Sequence, residues 1–173
     1  MALRVVNHAQ GDGQAPEADS GRVLNYRTGV LTEKYTMPAT ELGHGHYGTV
    51  RVGINKATSD AVAVKTIPKS KVRSLQMLRN EIDIMRLVND PTIIKLHEVY
   101  ETRKYIHLIL SHLQGGDLFE RIKTKSLYKE SDAIPIMRDL LSGLDHLHSQ
   151  LIMHRDLKPE SLIFAEQDDN SVL

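Results

Sequence analysis

The chain contains no cysteine, so neither a disulfide framework nor a thiolate metal site is available to it, and it is compatible with a reducing compartment. It has no net charge either: 22 Lys and Arg offset 22 Asp and Glu, with the two signs interspersed. No single-signed field is present to draw nucleic acid or an anionic membrane surface, so the expected partners are proteins and small molecules. No apolar run approaches membrane-spanning length, the N-terminus lacks the basic-then-apolar pattern of a signal peptide, and Ala2 stands where myristoylation requires glycine. A cytoplasmic or nuclear location is expected. Internal repeats are missing too. The nine histidines are scattered, and no pair joins a carboxylate at the spacing of a zinc site.

What is present is a chain of 173 residues, 40% hydrophobic, enough for one compact domain or two small lobes. Residues 1–34 are rich in Gly, Asp, Gln, Ala and Ser and have no sustained periodicity, which predicts a disordered extension. From Glu41 to Val52 glycines interrupt a strand-like pattern, and a β-branched stretch follows from Ala61 to Ile67; together they predict a hairpin and a third strand. Leu78, Ile82 and Met85 recur at helical spacing between Ser74 and Val88, with Ser74 placed to cap the start. Strands are expected over Ile93–Tyr100 and Tyr105–Leu110. Beyond Gly115 and Gly116 the pattern turns helical, with a short segment near Asp117–Lys123 and a longer one over Ser131–His148, where Pro135 fits only near the start.

Three motifs carry chemistry. In Gly43-His44-Gly45-His46-Tyr47-Gly48-Thr49-Val50 the glycines allow a hairpin backbone to approach phosphate oxygens and donate N–H groups to them. Alone this is weak, since ordinary hairpin turns and dinucleotide folds show the same letters, although the flanking strands argue against a strand-to-helix turn. In Val62-Ala63-Val64-Lys65 a single lysine ends an apolar strand, which in isolation is also a common surface arrangement. Glu81 shares the apolar face of the predicted helix with Met77, Leu78, Ile84 and Met85, and a buried carboxylate requires a compensating cation; Lys65 could supply it and also orient the phosphates of a nucleotide. The third motif, His154-Arg155-Asp156-Leu157-Lys158-Pro159-Glu160-Ser161-Leu162-Ile163-Phe164, decides among these readings.

Taken in this order and spacing, the three motifs resemble the protein kinase family from about Tyr35 onward. Leu78-Arg79-Asn80-Glu81, Ile94 to Glu101 and Gly115-Gly116-Asp117-Leu118-Phe119 are similar to the calcium/calmodulin-dependent and calcium-dependent kinase group, and Lys158 two residues after Asp156 is the serine/threonine form of the loop. The resemblance implies an α+β fold: an N-lobe over 35–113 with an antiparallel sheet of about five strands and one helix, then part of a helical C-lobe over 114–173, with ATP bound between them. It implies transfer of phosphate from ATP, with Mg2+, to serine or threonine hydroxyls of a protein substrate. Asp156, Lys158, Lys65 and Glu81 would be catalytic; Asp156 would orient the acceptor hydroxyl and Lys158 would neutralise the transferring phosphoryl group. Gly43, His44, Gly45, His46, Tyr47 and Gly48 would hold the phosphates. Val50, Ala63, Leu118 and Ile163 would sandwich adenine, Leu110 would be the gatekeeper, Ser111 and Leu113 would offer hinge bonds, and Asp117 would meet the ribose.

The chain departs from the family pattern in two places. Ser161 stands where the family has an asparagine that binds one of the two magnesium ions, so weak metal binding is expected of its shorter hydroxyl. No Asp-Phe-Gly triplet occurs in these 173 residues. The expectation is an incomplete catalytic domain whose helix over Ser131–His148 leaves an apolar face without a partner. The alternative is a catalytically silent nucleotide-binding or interaction module. The acidic turn Asp168-Asp169-Asn170 is expected to be plain surface.

Overall fold

The computed structural model describes residues 30–45, 48–125 and 127–166, so the expected extension over residues 1–29 and the acidic turn lie outside the described residues. They divide into two compact units, 30–82 with 96–111 and 83–95 with 112–166.

The first unit is built on β-branched and apolar runs. Glu41–Gly45 (β2) and Gly48–Asn55 (β3) form the expected hairpin, and Ala61–Pro68 (β4), Leu96–Glu101 (β5) and Tyr105–Ser111 (β6) complete an antiparallel sheet in the order β3-β4-β6-β5. A two-residue strand, Tyr35–Thr36 (β1), pairs with Asn55 and Ile54 on the same edge of β3 that Glu41 and Gly43 occupy opposite Arg51 and Val50. β1 and β2 are therefore one strand interrupted at residues 37–40, where Pro38 has no backbone donor to give the ladder. In this sense the expected five strands are present.

Regular structure begins before Tyr35, which corrects the expected end of the extension at residue 34. Leu31–Lys34 (α1) is a single helical turn. Leu31 packs with Met37 on a core of Tyr35, Val62, Val64, Tyr100 and Ile109, in which the Tyr35 and Tyr100 rings meet edge to face at 6.4 Å. Lys34 is ion-paired with Glu98, whose other oxygen accepts the Tyr100 hydroxyl at 2.7 Å. Burial of these aromatic and aliphatic side chains, each worth about 1.5–3 kcal/mol, supplies the reason for order where composition alone suggested none.

Helix Leu75–Leu87 (α2) has Ser74 at its start, whose hydroxyl accepts the Met77 N–H at 3.3 Å, and it buries Leu78, Ile82 and Met85 along one stripe. β5 starts at Leu96, later than the expected Ile93. The Asp90 carboxylate accepts both the amide and the hydroxyl of Thr92, and Ile93 N–H bonds to Asp90 O, so residues 90–93 are held in a turn around Pro91.

In the second unit, Leu118–Thr124 (α3) and Glu130–Ser149 (α4) match the expected helices. Pro135 lies in the second turn of α4 and removes one hydrogen bond near its exposed start. Ile136 and Leu147 of α4 pack with Val88, Ile93, Leu162 and Phe164. Ile134, Met137 and Leu141 lie along an exposed stripe of α4, the apolar face expected there.

Candidate functional site

Antiparallel register decides which site residues of the first unit share a face, because residues directly opposite project to the same side of the sheet. Lys65 lies between Val50 and Leu108, and Ala63 lies between Val52 and Leu110. Val50, Ala63, Lys65 and Leu110 therefore share one face. The other face carries Val62, Val64 and Ile109, closed by the tyrosine core. On the site face Leu108 and Ala63 are buried, whereas Val50, Lys65 and Leu110 stay partly exposed. A small residue, two aliphatic side chains and one cation on a half-open face form a surface suited to a flat apolar ring carrying phosphate.

Gly43, His44 and Gly45 lie in β2 and Gly48 begins β3; His46 and Tyr47 fall outside the described residues. A Cβ on Gly43 would meet nothing within 4 Å, so the backbone there is open to approach. Ser111 closes β6, and its hydroxyl lies 3.0 Å from His97 Nε2, a contact that no motif announces. Leu113 is half-buried beyond it, in the second unit.

Lys65 lies in β4 and Glu81 in α2, where Glu81 is half-buried at the margin of the stripe that the helix buries.

The remaining site residues belong to the second unit. Residues 114–118 run antiparallel to 162–165, with Gln114 N–H to Ala165 O at 2.9 Å, Gly115 N–H to Phe164 O at 3.0 Å, Phe164 N–H to Gly116 O at 2.9 Å and Leu118 N–H to Leu162 O at 2.9 Å. Asp117 and Ile163 are bridged in this ladder, so Asp117, Leu118 and Ile163, far apart in sequence, are brought together. The Asp117 carboxylate also accepts the Glu120 N–H at 2.9 Å and so caps α3. That cap is a structural duty beyond the expected ribose contact.

The loop over 154–161 is held from within. Arg155 adopts a left-handed backbone, with φ 62°, which turns the chain sharply before Asp156. Buried His154 accepts the Asp156 N–H at Nδ1, 3.3 Å away, and the Ser161 hydroxyl donates to the Asp156 carbonyl at 2.8 Å. Lys158 Nζ lies 3.5 Å from the Asp156 carboxylate, with both side chains partly open to solvent. A carboxylate beside an ammonium on a backbone fixed at both ends can accept a proton from a hydroxyl while the cation faces a developing anion.

These features meet in one family. A model described as "Protein kinase domain" matches residues 37–172, and the chain belongs to the protein kinase family. Among curated proteins it is 39% identical over 141 residues to calcium-dependent protein kinase 5 of Plasmodium berghei, covering 82% of this chain and 25% of that protein. It is 37% identical over 155 residues to calcium-dependent protein kinase 25 of Arabidopsis thaliana, covering 87% and 30%. It is also 39% identical over 160 residues to the human serine/threonine-protein kinase DCLK3, covering 90% and 24%. The chain thus spans about a quarter of the length of two of these relatives and 30% of the third. No helix among the described residues is long and apolar enough to cross a membrane.

Magnesium finds less provision. No cluster of three or more His, Asp or Glu able to hold a metal occurs among the described residues. Asp156 already has the Lys158 ammonium beside it, and the Ser161 O–H is committed to a backbone carbonyl. The described residues do not by themselves fit a divalent cation, which prefers six or more oxygen ligands with carboxylate among them.

Proposed function

We propose that this chain is the ATP-binding and catalytic-loop portion of a serine/threonine protein kinase, serving transfer of the γ-phosphoryl group of ATP to a protein hydroxyl. The observation that carries this reading is the Asp156–Lys158 pair at 3.5 Å on a loop whose aspartate peptide is held at both N–H and C=O. In the reaction the bond between the γ-phosphorus and its bridging oxygen breaks and a bond to the acceptor oxygen forms. The Asp156 carboxylate orients that hydroxyl and receives its proton, and Lys158 stabilises negative charge on the transferring group. Val50, Ala63 and Leu110 present the apolar surface for the base, and Lys65 supplies a cation for the phosphates.

The test is a nucleotide-dependent thermal shift, run with and without Mg2+, on the wild-type chain and on Lys65→Met. ATP at a hundredfold excess over its Kd stabilises a one-site protein by about 2.7 kcal/mol, so a rise in Tm that is lost in Lys65→Met is expected. No rise in the wild type would overturn the reading. A second reading, nucleotide binding without turnover, is favoured by one observation, the commitment of the Ser161 hydroxyl within the loop. A thermal shift with no phosphate transferred to a serine/threonine peptide library would select it.

The full protein's substrate is taken to be a protein with Ser or Thr acceptors, and the compartment the cytoplasm or nucleus. Fractionation of cells expressing a tagged chain tests the second point, and recovery in the membrane pellet would contradict it.

A further inference from the structure

Helix α4 carries two apolar faces. Ile136 and Leu147 form the one that packs into the core. About a third of a turn round the helix, Ile134, Met137 and Leu141 are 52%, 47% and 57% exposed, and half-buried Leu144 continues their line. Exposed Glu130 precedes them on this line and exposed His148 follows. Positions 130, 134, 137, 141, 144 and 148 recur at steps of four, three, four, three and four, the a/d spacing by which two helices pack seam to seam. The spacing also reads the same in both directions. Positions 130 and 148, 134 and 144, and 137 and 141 are all centred on position 139. A second α4 running antiparallel across that point sets Ile134 opposite Leu144, Met137 opposite Leu141, and the Glu130 carboxylate opposite the His148 imidazole.

We propose that this face is a two-fold interface, occupied by α4 of a second copy of the chain in antiparallel register about position 139. Three observations select that occupant. A two-fold contact requires a surface complementary to itself, and the palindromic spacing supplies one. The ends of the seam are complementary only in antiparallel order: a parallel copy sets Glu130 against Glu130, whereas an antiparallel copy gives each carboxylate an imidazole N–H and opposes the two helix dipoles. The chain has no net charge, so two copies meet no long-range repulsion as they approach. The seam is short, and a weak dimer is expected, with a Kd on the order of 10 μM. This inference goes beyond the kinase reading and does not depend on it.

Sedimentation velocity on the full chain, from about 1 to 200 μM, reads the association, and a monomer–dimer equilibrium is expected. Leu141→Glu changes an exposed side chain and should weaken the dimer at least about tenfold. Glu130→Lys should weaken it about fivefold, and Glu130→Lys combined with His148→Glu should return to within about twofold of wild type. Register is read by disulfide formation, since the chain has no cysteine of its own. Chains carrying Ile134→Cys mixed with chains carrying Leu144→Cys bring the two thiols opposite each other, whereas either variant alone sets them about 15 Å apart along the seam. Oxidation should therefore link the mixture and neither variant alone. A monomer at every concentration overturns the proposal, whether the face is bare or covered by the chain's own residues. A dimer indifferent to Leu141→Glu overturns it, as does cross-linking no stronger in the mixture than in the single variants. Should Leu141→Glu lose its cooperative urea transition, the Glu130 and His148 exchange decides: loss and recovery of the dimer support the interface, and an unchanged dimer refutes it.

Discussion

The backbone carbonyl of Thr66 occupies the space into which Gly48 would project a Cβ. Gly48 begins β3 and its neighbour Thr49 lies opposite Thr66, so the two strands approach too closely there for any side chain. The last glycine of the loop over 43–48 is thus required by the sheet itself, whatever the loop binds. Gly48→Ala is expected to lower stability by about 1–3 kcal/mol, as overpacking against backbone does. Gly43→Ala, whose Cβ would meet open space, should stay within about 0.5 kcal/mol of wild type. Urea midpoints measure both, and a Gly43 variant less stable than the Gly48 variant would contradict this assignment of roles.

His107 is paired across β4 and β6 with Thr66, its Nδ1 3.0 Å from the threonine hydroxyl. Burial holds its pKa below the ordinary value of 6.5. In the unfolded chain the ring titrates at the ordinary value, so below pH 6.5 the unfolded state binds more protons than the folded one and stability rises with pH. The contribution is present in full above pH 6.5 and is lost on acidification through that value. Denaturation at pH 7.5 and at pH 5.5 should show a loss in the wild type that is smaller in His107→Asn, because the amide does not titrate. An identical pH dependence in the two proteins would show that His107 does not contribute.

Lys69 and Glu101 form a pair at 2.6 Å in which the glutamate side chain is 1% exposed. Removing Lys69 takes a cation away from a carboxylate that is almost wholly desolvated, which costs stability. Lys69→Met should therefore destabilise the protein, by about 1–3 kcal/mol. Glu101→Leu combined with Lys69→Met should recover much of the loss, since an apolar pair needs no compensation. A double variant no more stable than Lys69→Met would show that Glu101 is held chiefly by other contacts.

Much of this arrangement was legible in the residues. The β-branched run Ala61–Ile67 marked β4, and the helical spacing of Leu78, Ile82 and Met85 marked α2 to within a residue of its ends. Illegible were relations made by tertiary packing. Leu31 and Tyr35 gain order only from partners contributed by β4, β5 and β6, so local composition suggested disorder up to residue 34. Glu81 read as buried from its neighbours at i+3 and i+4, but how far water reaches the margin of a helix stripe is fixed by what packs on it. The Ser161 hydrogen bond to Asp156 depends on the left-handed turn at Arg155, a conformation that arginine does not announce.

Leu151 follows α4 in a left-handed conformation, φ 59°, with its side chain 95% exposed. Its N–H bonds to His148 O at 2.9 Å and the next N–H, from Ile152, to Leu147 O at 2.9 Å, the paired bonds of a Schellman ending, in which glycine is the preferred residue. Leucine there carries the Cβ–carbonyl crowding of left-handed backbone, about 1–2 kcal/mol, and its side chain returns nothing through burial. Glycine removes the crowding but adds unfolded-chain entropy of about 0.5–1 kcal/mol, so the net gain expected of Leu151→Gly is about 0.5–1 kcal/mol. Leu151→Ala keeps the Cβ and should match the wild type, which separates backbone strain from any effect of removing an exposed hydrophobe. Chemical denaturation of the three proteins distinguishes them. Should alanine stabilise as much as glycine, the gain would belong to the exposed side chain, and the helix ending would not be strained by leucine.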